Sequence, residues 1–143
     1  MLSEAPEAPV AEVEQLPIRF LHHVATVDGL TNCDFLVMEG EEVVASCRVE
    51  QWLLPGGWLT WVHVREDRRR RGFATLLLDH VLHAAQAAGK QGLTLTVQAT
   101  NTPAQLLYYA LGFRAVGVPY YDLGNMLMTH HFAPMALKGE KNG

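Results

Sequence analysis

Trp58-Leu59-Thr60-Trp61-Val62-His63-Val64, followed after a short polar interval by Arg68-Arg69-Arg70-Arg71-Gly72-Phe73-Ala74, is the stretch that decides the fold. The first run is apolar and β-prone and predicts a strand. Beyond the arginines, Phe73, Leu76, Leu77, Val81, Ala84, Ala85 and Ala88 recur at helical spacing, and Gly89 marks the stop. The order is strand, basic glycine-containing turn, helix. Such a turn leaves the first helical N–H groups unpaired, and the helix dipole adds partial positive charge at the same place. Gly72 lets the backbone approach a ligand closely, and Ala74 keeps that approach narrow. The arginines add charge and forked donors. Together they point to a phosphate, a pyrophosphate in particular, held mainly by backbone.

Two other readings of the arginine run are a solvated face and a nucleic-acid patch. The flanking strand and amphipathic helix argue against the first. The formal net charge of -4 argues against the second. The sequence has no Gly-x-x-x-x-Gly-Lys-Ser/Thr, nor a Gly-x-Gly-x-x-Gly after a strand, so the common nucleotide loops are excluded.

The chain of 143 residues is long enough for one domain with its own core. Apolar content of 49% and charged content of 18% fit a soluble globular protein. No signal peptide and no membrane-spanning run is visible, so a cytoplasmic location with no membrane partner is expected. Cys33 and Cys47 lack metal-ligand spacing and read as reduced, partly buried thiols.

Residues 1–10 are rich in Ala, Pro and Glu and read as a flexible lead-in; 11–135 form the domain; 136–143 are a polar tail. Ile18 to Ala25 reads as a strand or as a short helix after Pro17, the strand being favoured, and Asp28-Gly29 as a turn. Asp34–Met38 and Glu42–Gln51 form a hairpin around Glu39-Gly40-Glu41. Alternation puts Val43, Ala45, Cys47 and Val49 on one face of its second strand. Pro55-Gly56-Gly57 turns into the Trp58–Val64 strand. Leu93 to Ala99 alternates cleanly and reads as a strand parallel to it across the helix. A second helix follows, capped by Asn101 or Thr102, with Pro103 in its first turn and Gly112 at its end. Arg114–Val118 and Asn125–Phe132 read as the last strands, joined by a turn over Pro119–Gly124.

Arg69-x-x-Gly72-x-Ala74 resembles the Arg/Gln-x-x-Gly-x-Gly/Ala acyl-CoA loop of the GNAT superfamily of N-acetyltransferases. Asn101, Ala104, Tyr108, Gly112 and Phe113 match the Asn-x-x-Ala-x-x-x-Tyr-x-x-x-Gly-Phe segment that the same family carries one helix and one strand later. The resemblance runs roughly from Leu36 to Met128. It implies an α/β domain: a mixed, mostly antiparallel twisted sheet with splayed central parallel strands and packed helices. It implies acetyl-CoA as co-substrate, an amine acceptor and no metal. The activity implied is acetyl transfer to a primary amine of a small molecule or protein by direct attack. A non-catalytic acyl-CoA-sensing module is the alternative.

The resemblance also assigns residues. Backbone N–H groups from Arg69, Arg70, Arg71, Gly72, Phe73 and Ala74 would hold the pyrophosphate. The side chains of Arg69 and Arg71 are expected to take part, with those of Arg68 and Arg70 solvated. Val62, His63 and Val64 would pair with pantetheine, and Asn101 would contact the CoA. Tyr108 is the candidate general acid, with Tyr109 turned outward. The base is not marked: the positions where many relatives carry Glu or His are Trp58 and Thr60 here. His63 remains, if a bulge re-aims it, and Glu50 on the neighbouring strand; a water chain or an acceptor amine of low pKa would remove the need for either. Trp52, Trp58 and Trp61 are expected mostly in the core, with Trp58 a candidate wall of an acceptor pocket. The family usually places two helices between its first two strands. About 20 residues are available here, so these helices are expected to be shortened or absent and the acceptor site open or completed by a second subunit. A homodimer through an edge strand is compatible with this arrangement.

Overall fold

The computed structural model describes residues 16–116 and 124–133. The lead-in, the polar tail and most of the Pro119–Gly124 turn lie outside these residues. The first strand, β1 (Ile18–Val27), turns at Asp28 (φ 54°) and Gly29 (φ 79°) into β2 (Leu30–Glu39). Two positive φ values in a two-residue turn suit the twist of an antiparallel hairpin. That tight turn leaves no room for helices between β1 and β2, so the helices usual at this point are absent. β2 turns at Gly40 into β3 (Glu42–Glu50), and β3 leads to β4 (Trp58–Val64). A short 3-10 turn at Glu66–Arg68 precedes the arginine loop and helix α1 (Phe73–Ala87). Then come β5 (Gly92–Gln98), α2 (Thr102–Ala110), β6 (Arg114–Ala115) and β7 (Asn125–His131).

The strands form one sheet in the order β1-β2-β3-β4-β5-β7-β6. Every neighbouring pair is antiparallel except β4 and β5. These two are joined by α1 as a crossover. They pair only at Trp58 opposite Thr94, with the Thr94 N–H donating to the Gly57 carbonyl at 2.9 Å. Beyond that point they diverge, which opens the centre of the sheet.

One face of the sheet carries the core. Phe73, Leu77, Leu78, Val81 and Ala85 of α1 are buried with Cys33, Phe35, Val37, Val49, Leu59, Leu93 and Leu95. Each such aliphatic side chain contributes about 1.5–3 kcal/mol on leaving water. The buried stripe of α1 is rotated from the expected one: Leu78 is inside and Leu76 outside. Among the described residues no helix covers the opposite face of β1–β4.

Two bulges break the alternation that the sequence predicts. In β3, Val37 faces Ala45 but Met38 faces Val43, so Val44 is the extra residue. Val43 therefore leaves the core face and is 43% exposed, while Val44 is buried at 1%. In β4, Ser46 faces His63 but Arg48 faces Thr60, so Trp61 and Val62 together oppose Cys47. Trp61 takes up the extra residue in the left-handed region, with φ 58°. Consequently Trp58, Thr60 and His63 share one face, and Leu59, Val62 and Val64 the other.

Candidate active site

The splay between β4 and β5 and the amino terminus of α1 open into a cleft of two adjoining parts. Its loop end, about 500 Å³, is lined by Val62, His63, Val64, Arg68, Arg69, Arg70, Gly72, Phe73, Ala74 and Thr75, with Pro103, Ala104 and Leu107 of α2 opposite. Its inner end, about 360 Å³, runs between Leu59–Val62 and Leu95–Gln98 to Asn101, Ala104 and Tyr108. Val62 and Ala104 border both.

The loop end is built for an anion. None of the N–H groups from Arg70 to Thr75 donates to a backbone carbonyl of the described residues. Arg70 (φ 65°) and Gly72 (φ 83°) alternate with ordinary backbone, the kind of alternation that makes an anion-binding concavity of successive N–H groups. A Cβ at Gly72 would meet nothing within 4 Å, so glycine is needed here for its backbone angle and not for want of space.

The arginines divide their work differently from the expectation. Arg68, expected to be solvated, pairs with Glu39 and Asp67 and is the least exposed of the pairs at this corner. Arg65 bridges Glu42 and Asp67. These contacts brace the loop against the tip of the β2–β3 hairpin. The Arg69 Nε donates to the Val64 carbonyl at 3.0 Å, so that side chain fastens the loop to the end of β4. Arg70 and Arg71 are exposed, with no ion pair among the described residues. Arg71 does not line the cleft, although its neighbours on both sides do.

Tyr108 is buried on α2, its ring edge-on to Phe113 at 5.7 Å, and it borders the inner cleft. Burial pushes its phenol pKa up, with Cys47 adding to the effect. Tyr109 turns outward beneath the Arg114 guanidinium. Asn101 caps α2: its side-chain oxygen accepts from the Ala104 N–H at 3.2 Å. It also borders the cleft.

The β4 bulge meets the condition that the sequence set for His63. It brings His63 onto the face of Thr60, opposite Ser46, and His63 borders the loop end of the cleft. Glu50, opposite Trp58, lies on that same face. Among the described residues no carboxylate or imidazole lines the inner cleft itself. Trp61 is 76% exposed and Trp58 partly so, and only Trp52 packs on the core, which corrects the expectation for this cluster.

Cys33 and Cys47 are buried and free, their thiols pushed up to about 11 and about 12 by desolvation. They are packing residues. The described residues hold no group of three or more His, Cys, Asp or Glu side chains placed for a metal. No described helix is long and apolar enough to cross a membrane.

Sequence reasoning missed six contributors. Thr75, Pro103 and Leu107 close the loop end from two helices, and helical phase alone did not mark them. Thr96 and Gln98 line the β5 side of the splay, which their alternation against Leu95 and Val97 does signal. Lys90 is 5% exposed, and its ammonium donates to the carbonyls of Gln51, Trp52 and Leu54 at 3.1, 2.9 and 2.6 Å. It ties down the loop that feeds β4.

Residues 3–113 match the model of the acetyltransferase (GNAT) family. A relative from Salmonella typhimurium, [ribosomal protein bS18]-alanine N-acetyltransferase, is 32% identical over 54% of this chain and 53% of its own length. The chain thus spans about half the length of that curated relative. The crystal structure of the ribosomal-protein-S18-alanine N-acetyltransferase from Escherichia coli superimposes with a TM-score of 0.65 at 25% identity, over 79% of this chain and 75% of that one. A GNAT family acetyltransferase from Elizabethkingia anophelis, solved with acetyl-CoA bound, shares the fold with a TM-score of 0.64 at 16% identity, over 79% of this chain and 98% of that one.

Proposed function

The chain belongs to the GNAT acetyltransferase family, and from that premise we propose that it transfers an acetyl group from acetyl-CoA to a primary amine by direct attack. The observation that carries the reading is the two-part cleft from the unpaired N–H groups of Arg70–Thr75, along the opened edge of β4, to Tyr108.

In this mechanism the backbone of Arg69–Ala74 holds the pyrophosphate. The freed edge of Val62, His63 and Val64 pairs with pantetheine. A backbone N–H at the Trp61–Val62 bulge supports the thioester oxygen as charge builds on it. The amine nitrogen attacks the carbonyl carbon, the C–S bond breaks, and the departing thiolate takes the Tyr108 proton. The amine's proton leaves through water to Glu50 or His63, which flank Thr60 on one face. The acceptor named for two relatives is an alanine of a ribosomal protein, which makes a polypeptide amine the first class to test here.

A sensor that binds acyl-CoA without turnover is the second reading, favoured by an inner cleft that no carboxylate or imidazole lines among the described residues. Calorimetry with acetyl-CoA and with CoA, using Gly72→Glu as control, tests the shared part. Binding is expected in the wild type and lost in the variant, where a carboxylate meets the phosphate. CoA release with an amine panel then separates the readings. Saturable turnover supports the enzyme, and tight binding with no turnover of any amine supports the sensor.

A further inference from the structure

Resting on that reading, we propose that the Trp61 indole sets the length of the acyl group that the cleft accepts: acetyl fits beside it, and a hexanoyl chain does not. Three observations meet at this residue. Trp61 stands in the left-handed region, at φ 58°, where a bulge ordinarily carries glycine because a Cβ there crowds the backbone. Its indole is 76% exposed, so burial in the core does not offset that crowding. It also borders the inner cleft, the end that receives the thioester. Backbone strain of this kind clusters at active sites and ligand clamps.

The inner cleft leaves an acyl chain one direction to grow. β4 and β5 close on each other at Trp58 and Thr94, so the space between them ends there. On the side of α1 the lining is Leu59, Leu95, Val97 and Tyr108, all part of the core. On the other side it is Trp61 from β4, with Thr96 and Gln98 from β5, all exposed. Trp61 also borders the hollow that Leu36, Ser46 and Arg48 line, which places its indole on the face turned away from α1. Of the three exposed side chains it is the one large apolar group. With the thioester oxygen at the Trp61–Val62 bulge, the methyl of an acetyl group stays within the cleft. Each further methylene is driven toward the exposed lip and against the indole.

The reaction itself does not distinguish chain lengths. For any acyl group the amine nitrogen bonds to the acyl carbon, the C–S bond breaks, and the thiolate takes the Tyr108 proton. Selection therefore acts through fit, and it is read in binding without an acceptor.

The test is calorimetry with CoA, acetyl-CoA, butyryl-CoA and hexanoyl-CoA. Wild type is expected to bind hexanoyl-CoA about tenfold or more weakly than acetyl-CoA, with butyryl-CoA between them. Trp61→Gly and Trp61→Asn remove the indole and put in residues that accept the left-handed backbone. Each is expected to bind hexanoyl-CoA at least about tenfold more tightly than wild type does, since every methylene that finds cover in the vacated space is worth about fourfold. The melting temperature of Trp61→Gly is expected to be no lower than that of wild type, because strain is relieved and no core contact is lost. Trp61→Phe keeps a ring at the lip and is expected to keep the preference for acetyl-CoA. A gain of hexanoyl-CoA binding is an effect that unfolding cannot imitate. Hexanoyl-CoA bound by wild type as tightly as acetyl-CoA, or no gain in either small variant, overturns the role of Trp61 while leaving the acyl-CoA reading standing. Binding of none of the four by wild type overturns both.

Discussion

Two residues govern very different things. Tyr108 reaches the cleft from a buried position, and burial keeps its phenol protonated across the whole neutral range. An acid that must hand over a proton is useful only while it holds one, so its activity limb should lie above about pH 10. Tyr108→Phe keeps the ring against Phe113 and removes only the proton. It is expected to lower kcat by about 100-fold with acetyl-CoA affinity unchanged, while Tyr109→Phe leaves both alone. Equal kcat in wild type and Tyr108→Phe, by stopped-flow CoA release, would remove the acid role. Lys90 does no chemistry, yet it is the buried polar side chain on which the β3–β4 connection depends. Burial pulls its pKa down, and the three carbonyls it serves oppose that by favouring the ammonium. Lys90→Met retains the stem over Trp52 and abandons the carbonyls. It is expected to cost about 2 kcal/mol in urea unfolding, because carbonyls already partly wet recover some bonding from water.

Among the elements, β4 and the two helices were the most legible. The Trp58–Val64 boundaries come out as the composition says, because Gly57 and the charged Arg65-Glu66-Asp67 leave the strand nowhere else to end. Asn101 caps α2 as its side chain suggests. The bulges were not legible. Val43 and Trp61 are displaced by cross-strand register and twist, which no local pattern records, and the Trp61 bulge is what opens the site and turns His63. The same limit hid the loop brace, since Glu39 and Arg68 meet only in three dimensions. The β1–β2 hairpin shows a further long-range dependence. β1 is held to α1 by aromatic contacts, Phe20 to His80 at 4.9 Å, with His22 6.2 Å away and Phe35 beneath. The groups facing His80 are His22, His83 and Asp79, and His80 Nε2 is buried without a partner. Desolvation first, and then the two imidazoles, lower the His80 pKa in the folded state. The folded protein therefore binds fewer protons here than the unfolded chain. This stability is full above the unfolded value of about 6.5 and is lost as pH falls below it. The melting temperature is expected to drop between pH 7.5 and 5.5, and to drop less in His80→Phe. An identical drop in the variant would assign the pH dependence to other groups.

At the scale of the whole molecule, losing the helices between β1 and β2 has two consequences, one for each exposed part of the sheet. The face of β2–β4 turned away from α1 carries no helix among the described residues. The other consequence is at the edge. β1 is a ten-residue strand with one side unpaired among the described residues, and Ile18, Phe20, Leu21, Val24 and Val27 along it are all substantially exposed. Long apolar edges of this kind are templates for strand addition unless charge or a bulge blunts them. β1 carries one Arg, Arg19, and no Lys, Asp or Glu, and its register with β2 has no shift. A second copy related by a twofold axis through His22 is self-complementary: Phe20 falls opposite Val24, and Ile18 opposite Thr26, each on the same face. Such pairs stabilise by about 0.2–1 kcal/mol each beyond the backbone hydrogen bonds. Sedimentation velocity is therefore expected to find a concentration-dependent dimer. Val24→Lys sets a charge opposite Phe20 twice per interface, so it should shift the population to monomer without lowering the melting temperature, because Val24 already faces solvent in the monomer. A wild type that sediments as monomer at every concentration, or a Val24→Lys dimer as tight as wild type, would show that the edge is closed by something other than a second copy. Acetyl-CoA binding should survive in the monomeric variant, since the arginine loop and the splay lie on the far side of β2 and β3 from β1.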